Sequence, residues 1–588
     1  MTPECRWASG YPRAISTRSA RVLGTEAGWR RPLSLERALD EVERRCVWVL
    51  ALLMLLDLVL LLYLGRGLTF YFDDWNFVTE DFGGGVHSLL RAHVGNISVF
   101  PIAVYKVLFH VVGLNHYAVF RLDVIVLHLI AVGLIFVLAA RRVPRVPALL
   151  AAALILFLGT AWEDLLWAFQ VGYMLSIVGG LAAWVALERD DRRGDVAAML
   201  CVIVAAGSSS LGIPVMIAVA VELAWRRDWG RLWMVAVPLA LYVLWYLGYG
   251  ESQVTQASLN AAPGYAEDLA AAAFGGLVGR ALEWGRPLAL LGVVVLVRRL
   301  LRSAPLTPRF ASLLAAALSV WIVTAVARST ISVPETSRYI YFGAVVIVLL
   351  GVELLREVTI TPRATLLAVP LVALFAVTGF TTLDAGAKGL KATSNVVAAE
   401  LGALQLAAAY APPAYQPDTQ RAPQIFAGPY LHTVRAIGSS PADTPSEILA
   451  AEPVSREDAD HVLLALESPK LTAVTGASAL ASGAAPQVLA LEGATRLSGG
   501  ACVRITPLPG QVARGAFVLP RAGALIADRG SASATVALRR FGEEFDAVPP
   551  AIAGHATALL SVAPDAGATP WVSQISSASP LSLCGARG

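Results

Sequence analysis

The sequence predicts a polytopic α-helical membrane protein that ends in a β-rich domain outside the cytoplasm, on three observations. Of 588 residues 56% are hydrophobic and 15% charged, and mean hydropathy is +0.63, beyond the range of an ordinary soluble domain. Apolar runs of about twenty residues recur through the first 380 or so, whereas the rest is rich in Ala, Gly, Pro and Ser with stretches too short to span. Arginines cluster in alternate loops.

Residues 1–45 form an Arg-rich segment without the layout of a cleavable signal, and the run from Cys46 has no small-residue cleavage site behind it, so it reads as a retained span. The apolar runs then predict about eleven spans, roughly 46–65, 117–140, 146–162, 170–187, 196–207, 211–225, 232–249, 286–301, 309–328, 338–355 and 364–382, making 46–382 the transmembrane domain. With the N-terminus inside, RRVPR (141–145), ERDDRRGD (188–195), RRDWGR (226–231), RRLLRSAPLTPR (298–309) and REVTITPR (356–363) are cytoplasmic. PIAVYKVLFHVVG (101–113) would, as a span, carry RRVPR outside, so it reads as a re-entrant or interfacial helix on the outer face. The expected location is the plasma membrane, with everything after residue 382 extracytoplasmic.

Residues 251–285 make the longest outer loop, whose Gly-Gly pair suggests a mobile or re-entrant segment; a plain amphipathic connector explains it about as well. A helical, then Pro-rich connector is expected over 383–430. Over 431–588, VLALEG, CVRIT, GAFVLP, GALIAD and TVALRRF read as strands of a sandwich or jelly roll. Cys502 and Cys584 are the only cysteines there, and an oxidising compartment predicts a disulfide between them, while Cys5, Cys46 and Cys201 stay reduced. Trp571 reads more readily as a core residue than as a sugar platform.

On the predicted outer face sit Asp73 and Asp74 in GLTFYFDDWNFVTED, Glu163 and Asp164 in GTAWEDLLWAFQVGY, and Arg338 in STISVPETSRYIYFG. Ionisable groups near a bilayer are costly unless paired, hydrated or in use, so acid, acid and base on one side define a candidate site. The plainer alternative is solvated loop acids, with Asp73 capping a helix that begins at Trp75. Trp75, Trp162 and Trp167 read as interfacial anchors more readily than as sugar platforms. Asp57, Asp123 and Glu222 lie within spans and receive no role, Asp123 being expected to pair with Arg121.

An acidic pair just after the first span, here FDDW, resembles the first outer loop of the GT-C superfamily of integral membrane glycosyltransferases. HVGNISVFPIAVYKVLF (93–109) looks like the juxtamembrane segment that follows in many bacterial members. AWEDLLWAFQVGY (161–173), SSSLGIP (208–214) and ETSRYIYF (335–342) resemble stretches of actinobacterial members in the same order, so the likeness covers most of residues 46–382. Asn96, Ile97 and Lys106 depart from it, standing where a histidine, a tryptophan and an arginine are common.

The resemblance implies a hexosyl- or pentosyltransferase that moves a sugar from a polyprenyl-phosphate donor to a cell-envelope glycan, lipid or protein. A glycosyl phosphate carries a good leaving group, so the enzyme needs a base for the acceptor hydroxyl and cations for the departing phosphate. Asp73 or Asp74 is the expected base, with inversion at the anomeric carbon. Arg338 is expected at the donor phosphate, with Tyr339, Lys106 and Arg121 as further candidates. Glu163, Asp164, Gln170 and His93 are expected at the acceptor or a second acidic site, and Asp74 with Glu163 could share Mg²⁺ or Mn²⁺, with no other cofactor. Two rivals are a transporter of a lipid-linked sugar and a non-catalytic scaffold with a carbohydrate-binding outer domain. No Gly-rich phosphate loop appears, and the arginines follow topology rather than nucleic acid.

Overall fold

The computed structural model describes residues 33–280, 282–302, 306–475 and 484–586; Cys5 and the Arg-rich segment up to residue 32 lie outside them. The membrane part is built of helices α1 (Leu33–Leu64), α2 (Asp74–Thr79), α3 (Gly85–Leu90), α4 (Val99–Val112), α5 (Tyr117–Ala140), α6 (Arg145–Leu156), α7 (Trp162–Leu166) and α8 (Val171–Leu187). It continues through α9 (Arg192–Ser208), α10 (Gly212–Arg226), α11 (Trp233–Tyr249), α12 (Gln256–Gly276), α13 (Leu282–Leu300), α14 (Pro308–Arg328), α15 (Ile340–Leu355) and α16 (Pro362–Leu406).

Among the described residues, eight helical stretches are long and apolar enough to cross a membrane. The expected spans at 196–207, 211–225 and 286–301 are the helices α9, α10 and α13. The first two have only 17 and 15 residues, and α13 carries Glu283, Arg286, Arg298 and Arg299. The basic loops are gathered by ion pairs: Arg142 to Glu188 (2.6 Å) and Glu353 (2.8 Å), Arg309 to Glu222 (2.9 Å), and Arg231 to Asp190 (3.0 Å) and Asp195 (2.5 Å). Partly shielded pairs joining separate helices hold one end of the bundle together more firmly than isolated surface pairs do.

Helix α4 has 14 residues, too few to span, and buries Pro101, Ile102, Tyr105 and Phe109 at helical spacing while Val107 and Val111 stay exposed. That one-sided pattern suits the expected interfacial helix. The described residues of 251–285, expected as a mobile or re-entrant segment or an amphipathic connector, are mostly helical. Thr255 and Ser258 form a capping box that starts the 21-residue α12, and Gly276 lies where its carbonyl accepts from Thr160 Oγ1 at 3.1 Å. Gly343 of α15 likewise leaves room for Ala273, whose Cβ a new side chain would meet at 2.8 Å. Small residues here serve close helix packing.

Helix α16 has 45 residues, about 68 Å at 1.5 Å per residue, so the expected span and the expected exit helix are one element. Its second half buries Leu390, Val397, Leu401 and Leu404. Three further helices follow: α17 (Ala427–Ile437), α18 (Pro445–Ala450) and α19 (Pro453–Glu467), so residues 431–467, expected in the β-rich domain, are mostly helical.

The strands begin at β1 (Lys470–Ala473) and continue as β2 (Val488–Glu492), β3 (Ala494–Gly499), β4 (Cys502–Pro507), β5 (Ala513–Val518), β6 (Ala524–Asp528), β7 (Thr535–Arg539), β8 (Asp546–Ala547), β9 (Thr557–Ser561), β10 (Val572–Ser577) and β11 (Leu581–Gly585). They form two antiparallel sheets, β1-β9-β6-β11-β4-β3 and β2-β5-β10-β7-β8. Alternation along the strands buries Phe517, Val536, Leu538 and Ile575 from one sheet and Val503, Ile505, Leu560 and Leu583 from the other. Cys502 and Cys584 face each other in register on β4 and β11 and are disulfide-bonded. Trp571 is buried, its indole N–H donating to Glu467 Oε2 at 3.0 Å, as a core residue would.

Candidate active site

The aspartate pair divides at α2. Phe72 takes a φ of 44°, a left-handed conformation that an L-residue adopts at a cost of about 1 kcal/mol, and it turns the chain immediately before both carboxylates. Asp74 is fully buried. Its carboxylate accepts from the Tyr71 backbone N–H (2.9 Å), Tyr117 Oη (2.8 Å), Trp167 Nε1 (3.1 Å) and Tyr105 Oη. Burial pushes its carboxyl up to about 7 against the pull of those four donors. Every donor belongs to the fold, so Asp74 anchors the loop.

Asp73 is partly exposed and has far lighter commitments. It stands at the N-cap position of α2 but makes no capping bond, so the plainer reading of its carboxylate does not hold. Its Oδ1 accepts from Gln424 Nε2 at 3.4 Å. Burial raises its carboxyl, while the charges of Arg338, Arg328 and His93 and the Gln424 amide pull it back down.

Arg338 sits on the 3₁₀ turn Ser337–Tyr339 that opens α15. Glu163 holds it twice, through Nη1 to Oε1 (3.0 Å) and backbone N–H to Oε2 (3.0 Å), and Ser337 Oγ completes the clamp by accepting from Glu163 N (3.1 Å) and donating to Thr160 O (2.9 Å). The guanidinium carbon lies 5.3 Å from the centre of the Tyr339 ring and 5.8 Å from that of Trp167. Glu163, expected at the acceptor or a second acidic site, is thus paired with Arg338. Arg328, at the end of α14, reaches the neighbouring turn through Nη2 to Val94 O (3.2 Å).

His93 closes that turn with Asn96 by reciprocal backbone bonds of 2.9 and 2.8 Å, and its Nε2 lies 2.6 Å from Asp81 Oδ2, both side chains being buried. Beside this turn, Leu90, Ile97, Val99, Phe100, Ala206 and Trp245 line an apolar cavity of about 280 Å³.

The other expected site residues make contacts of their own. Arg121 is buried, donating to Leu166 O (2.8 Å) and Leu61 O (2.9 Å), two carbonyls at helix ends, rather than to Asp123. Lys106 Nζ donates to Phe82 O at 3.3 Å. Tyr339 Oη meets Ser332 Oγ at 3.1 Å. Asp164 and Gln170 are buried, and none of their side-chain oxygen or nitrogen atoms has a hydrogen-bond partner among the described residues. Trp75 and Trp167 are buried core residues, not interfacial anchors.

Asp74 and Glu163 do not fit the shared metal. The first has its oxygens taken by four donors and the second by Arg338, and among the described residues no group of three or more His, Cys, Asp or Glu is placed to hold an ion. Sequence reading passed over Asp81, Arg328 and Gln424. Asp81 lay within the quoted acidic stretch, but its partner is 12 residues away, and Gln424 lies 351 residues from Asp73.

No protein-family model and no curated protein matches the chain. Two solved structures of ArnT from Cupriavidus metallidurans are similar at 15% identity. The apo form aligns over 76% of this chain and 96% of that chain with a TM-score of 0.45, and the form bound to undecaprenyl phosphate over 75% and 96% with a TM-score of 0.42. At such values the likeness assigns neither substrate nor residue roles to this chain.

Proposed function

We propose that the protein is a GT-C-type membrane glycosyltransferase that moves a hexose or pentose from a polyprenyl-phosphate donor to an extracytoplasmic glycan, lipid or protein. The observation that carries this reading is the division of the aspartate pair: Asp74 is saturated by the fold, whereas Asp73 stays partly exposed under the influence of two arginines. A carboxylate raised by burial is the better base, and cations nearby keep it ionised.

In the proposed step the acceptor hydroxyl loses its proton to Asp73 as its oxygen attacks the anomeric carbon. The bond from that carbon to the phosphate oxygen breaks, its electron pair leaves on the phosphate, and the configuration inverts. Arg338, aimed by Glu163, and Arg328 take the phosphate charge; a guanidinium keeps its charge at a membrane boundary and meets phosphate through a planar fork. The apolar cavity beside the His93–Asn96 turn suits a polyprenyl chain, since Ile97 lines it one residue beyond the turn that Arg328 grips. In the proposed orientation the site faces away from the cytoplasm, and the ion-paired basic loops face into it.

The test is to supply the purified protein in lipid nanodiscs with polyprenyl-phosphate pentoses and hexoses and an envelope-lipid extract. Mass spectrometry should detect polyprenyl phosphate and a glycosylated product. No turnover with any such donor overturns the reading.

A further inference from the structure

We propose that Gln424 contacts substrate in the Asp73 site: its amide nitrogen holds the base while its amide oxygen receives a hydroxyl of the transferred sugar or of the acceptor. The inference rests on the transferase reading above and adds to it a residue from the extracytoplasmic connector. Nε2 of Gln424 lies 3.4 Å from Asp73 Oδ1, so one end of the amide is on the carboxylate. The other end, Oε1, is buried and has no hydrogen-bond partner among the described residues. A buried carbonyl without a donor is unfavourable and persists where something else provides the donor.

The connector is too well fixed for this geometry to be incidental. Asp418 accepts from the backbone of Gln420 (2.7 Å) and Arg421 (2.8 Å) and from Arg421 Nη1 (2.9 Å). Gln416 Nε2 donates to Pro423 O at 2.7 Å, Ala427 N donates to Tyr415 O at 2.8 Å, and Ala422 and Ile425 are buried on either side of Gln424. Beyond it, Tyr430 packs edge-on against Trp75 of α2, with ring centres 5.9 Å apart. What sequence marks as a Pro-rich linker is a folded strap over the catalytic loop.

Around Asp73 the titratable and charged groups are Tyr71 and Asp74 on its own segment, Arg338 before α15, Arg328 at the end of α14, and His93 backed by Asp81. Gln424 is the neutral member, able to donate to the base and accept from a hydroxyl without changing protonation state. In the transfer step it gives and takes no proton.

The experiment uses full-length protein in nanodiscs with Gln424→Leu and the milder Gln424→Asn. Infrared titration follows the carboxyl band lost in Asp73→Asn. Loss of the amide donor, which pulls the Asp73 carboxyl down, should raise the Asp73 titration midpoint in Gln424→Leu and lower kcat/KM for transfer by about tenfold, with Gln424→Asn between it and wild type. A radiolabelled polyprenyl-phosphate pentose, then a hexose, is assayed with and without acceptor. If hydrolysis and transfer fall together, the hydroxyl belongs to the sugar; if transfer alone falls, it belongs to the acceptor. A Gln424→Leu protein with unchanged midpoint and wild-type transfer, where Asp73→Asn is inactive, overturns the role of Gln424 alone. Wild-type protein without transfer from any donor overturns the transferase reading and the substrate contact with it.

Discussion

Replacing Asp73 and Asp74 separately by Asn should produce two different failures. Asp74 accepts from four donors in a buried site: the Tyr71 N–H, the hydroxyls of Tyr105 and Tyr117, and the Trp167 indole. Asparagine keeps one oxygen and turns the other into an NH₂ that faces a donor, so charge-assisted bonds weaken and one donor must rotate or go unmet. At 1–3 kcal/mol for an unmet buried donor, Asp74→Asn should cost about 2 kcal/mol, and Asp74→Ala, which strands the Tyr71 N–H and both tyrosine hydroxyls while the Trp167 indole keeps the Tyr71 carbonyl, about 4 kcal/mol or more. Asp73 has one contact at 3.4 Å and partial exposure, so Asp73→Asn should change stability by less than about 1 kcal/mol. Transfer should fall about 10²–10⁴-fold, the usual loss when a general base is removed. Thermal unfolding in nanodiscs reads the first quantity and release of polyprenyl phosphate the second. An Asp73→Asn protein that transfers at the wild-type rate, or an Asp74→Asn protein that keeps its stability yet loses all transfer, would refute the division of labour.

Arg338→Lys, which keeps the charge but loses the fork, should raise the donor KM about tenfold, and Glu163→Gln should do the same by loosening the clamp on Arg338; unchanged KM in both removes Arg338 from the phosphate site. Burial raises the Glu467 carboxyl to about 7, above its value in the unfolded chain, so the folded state binds the extra proton and stability declines as pH rises through that range. The unfolding temperature of the C-terminal region should therefore fall from about pH 5 to about pH 8, and Glu467→Gln should flatten the slope; an equal slope in the variant contradicts the assignment. Removing the Cys502–Cys584 disulfide, which spans 82 residues of sequence, should cost up to about 4.5 kcal/mol on chain-entropy grounds and leave the membrane bundle folded, as protease resistance of the helical part would show.

The sequence by itself determined whatever depends on local periodicity and composition. Long apolar runs fix helices because backbone groups in lipid must be satisfied within the segment, and the eleven expected runs are helical. Alternation between turn residues marked five strands that recur as β2, β4, β5, β6 and β7, and two cysteines in one small domain anticipated their bond. That Asp73, Asp74, Glu163 and Arg338 stand apart was also legible, because ionisable residues are rare at the edges of apolar runs.

Only the tertiary structure separated Asp73 from Asp74, since adjacent residues share every local signal and differ solely in which distant donors surround them. It paired Glu163 with Arg338 and made Arg121 a buried tie between the carbonyls of Leu61 and Leu166. It also folded the connector back so that Gln424 reached a residue 351 positions earlier. A hydrogen bond carries no trace in spacing once chain closure spans hundreds of residues, because the cost of closing a loop grows only slowly with its length, leaving packing to choose the partner.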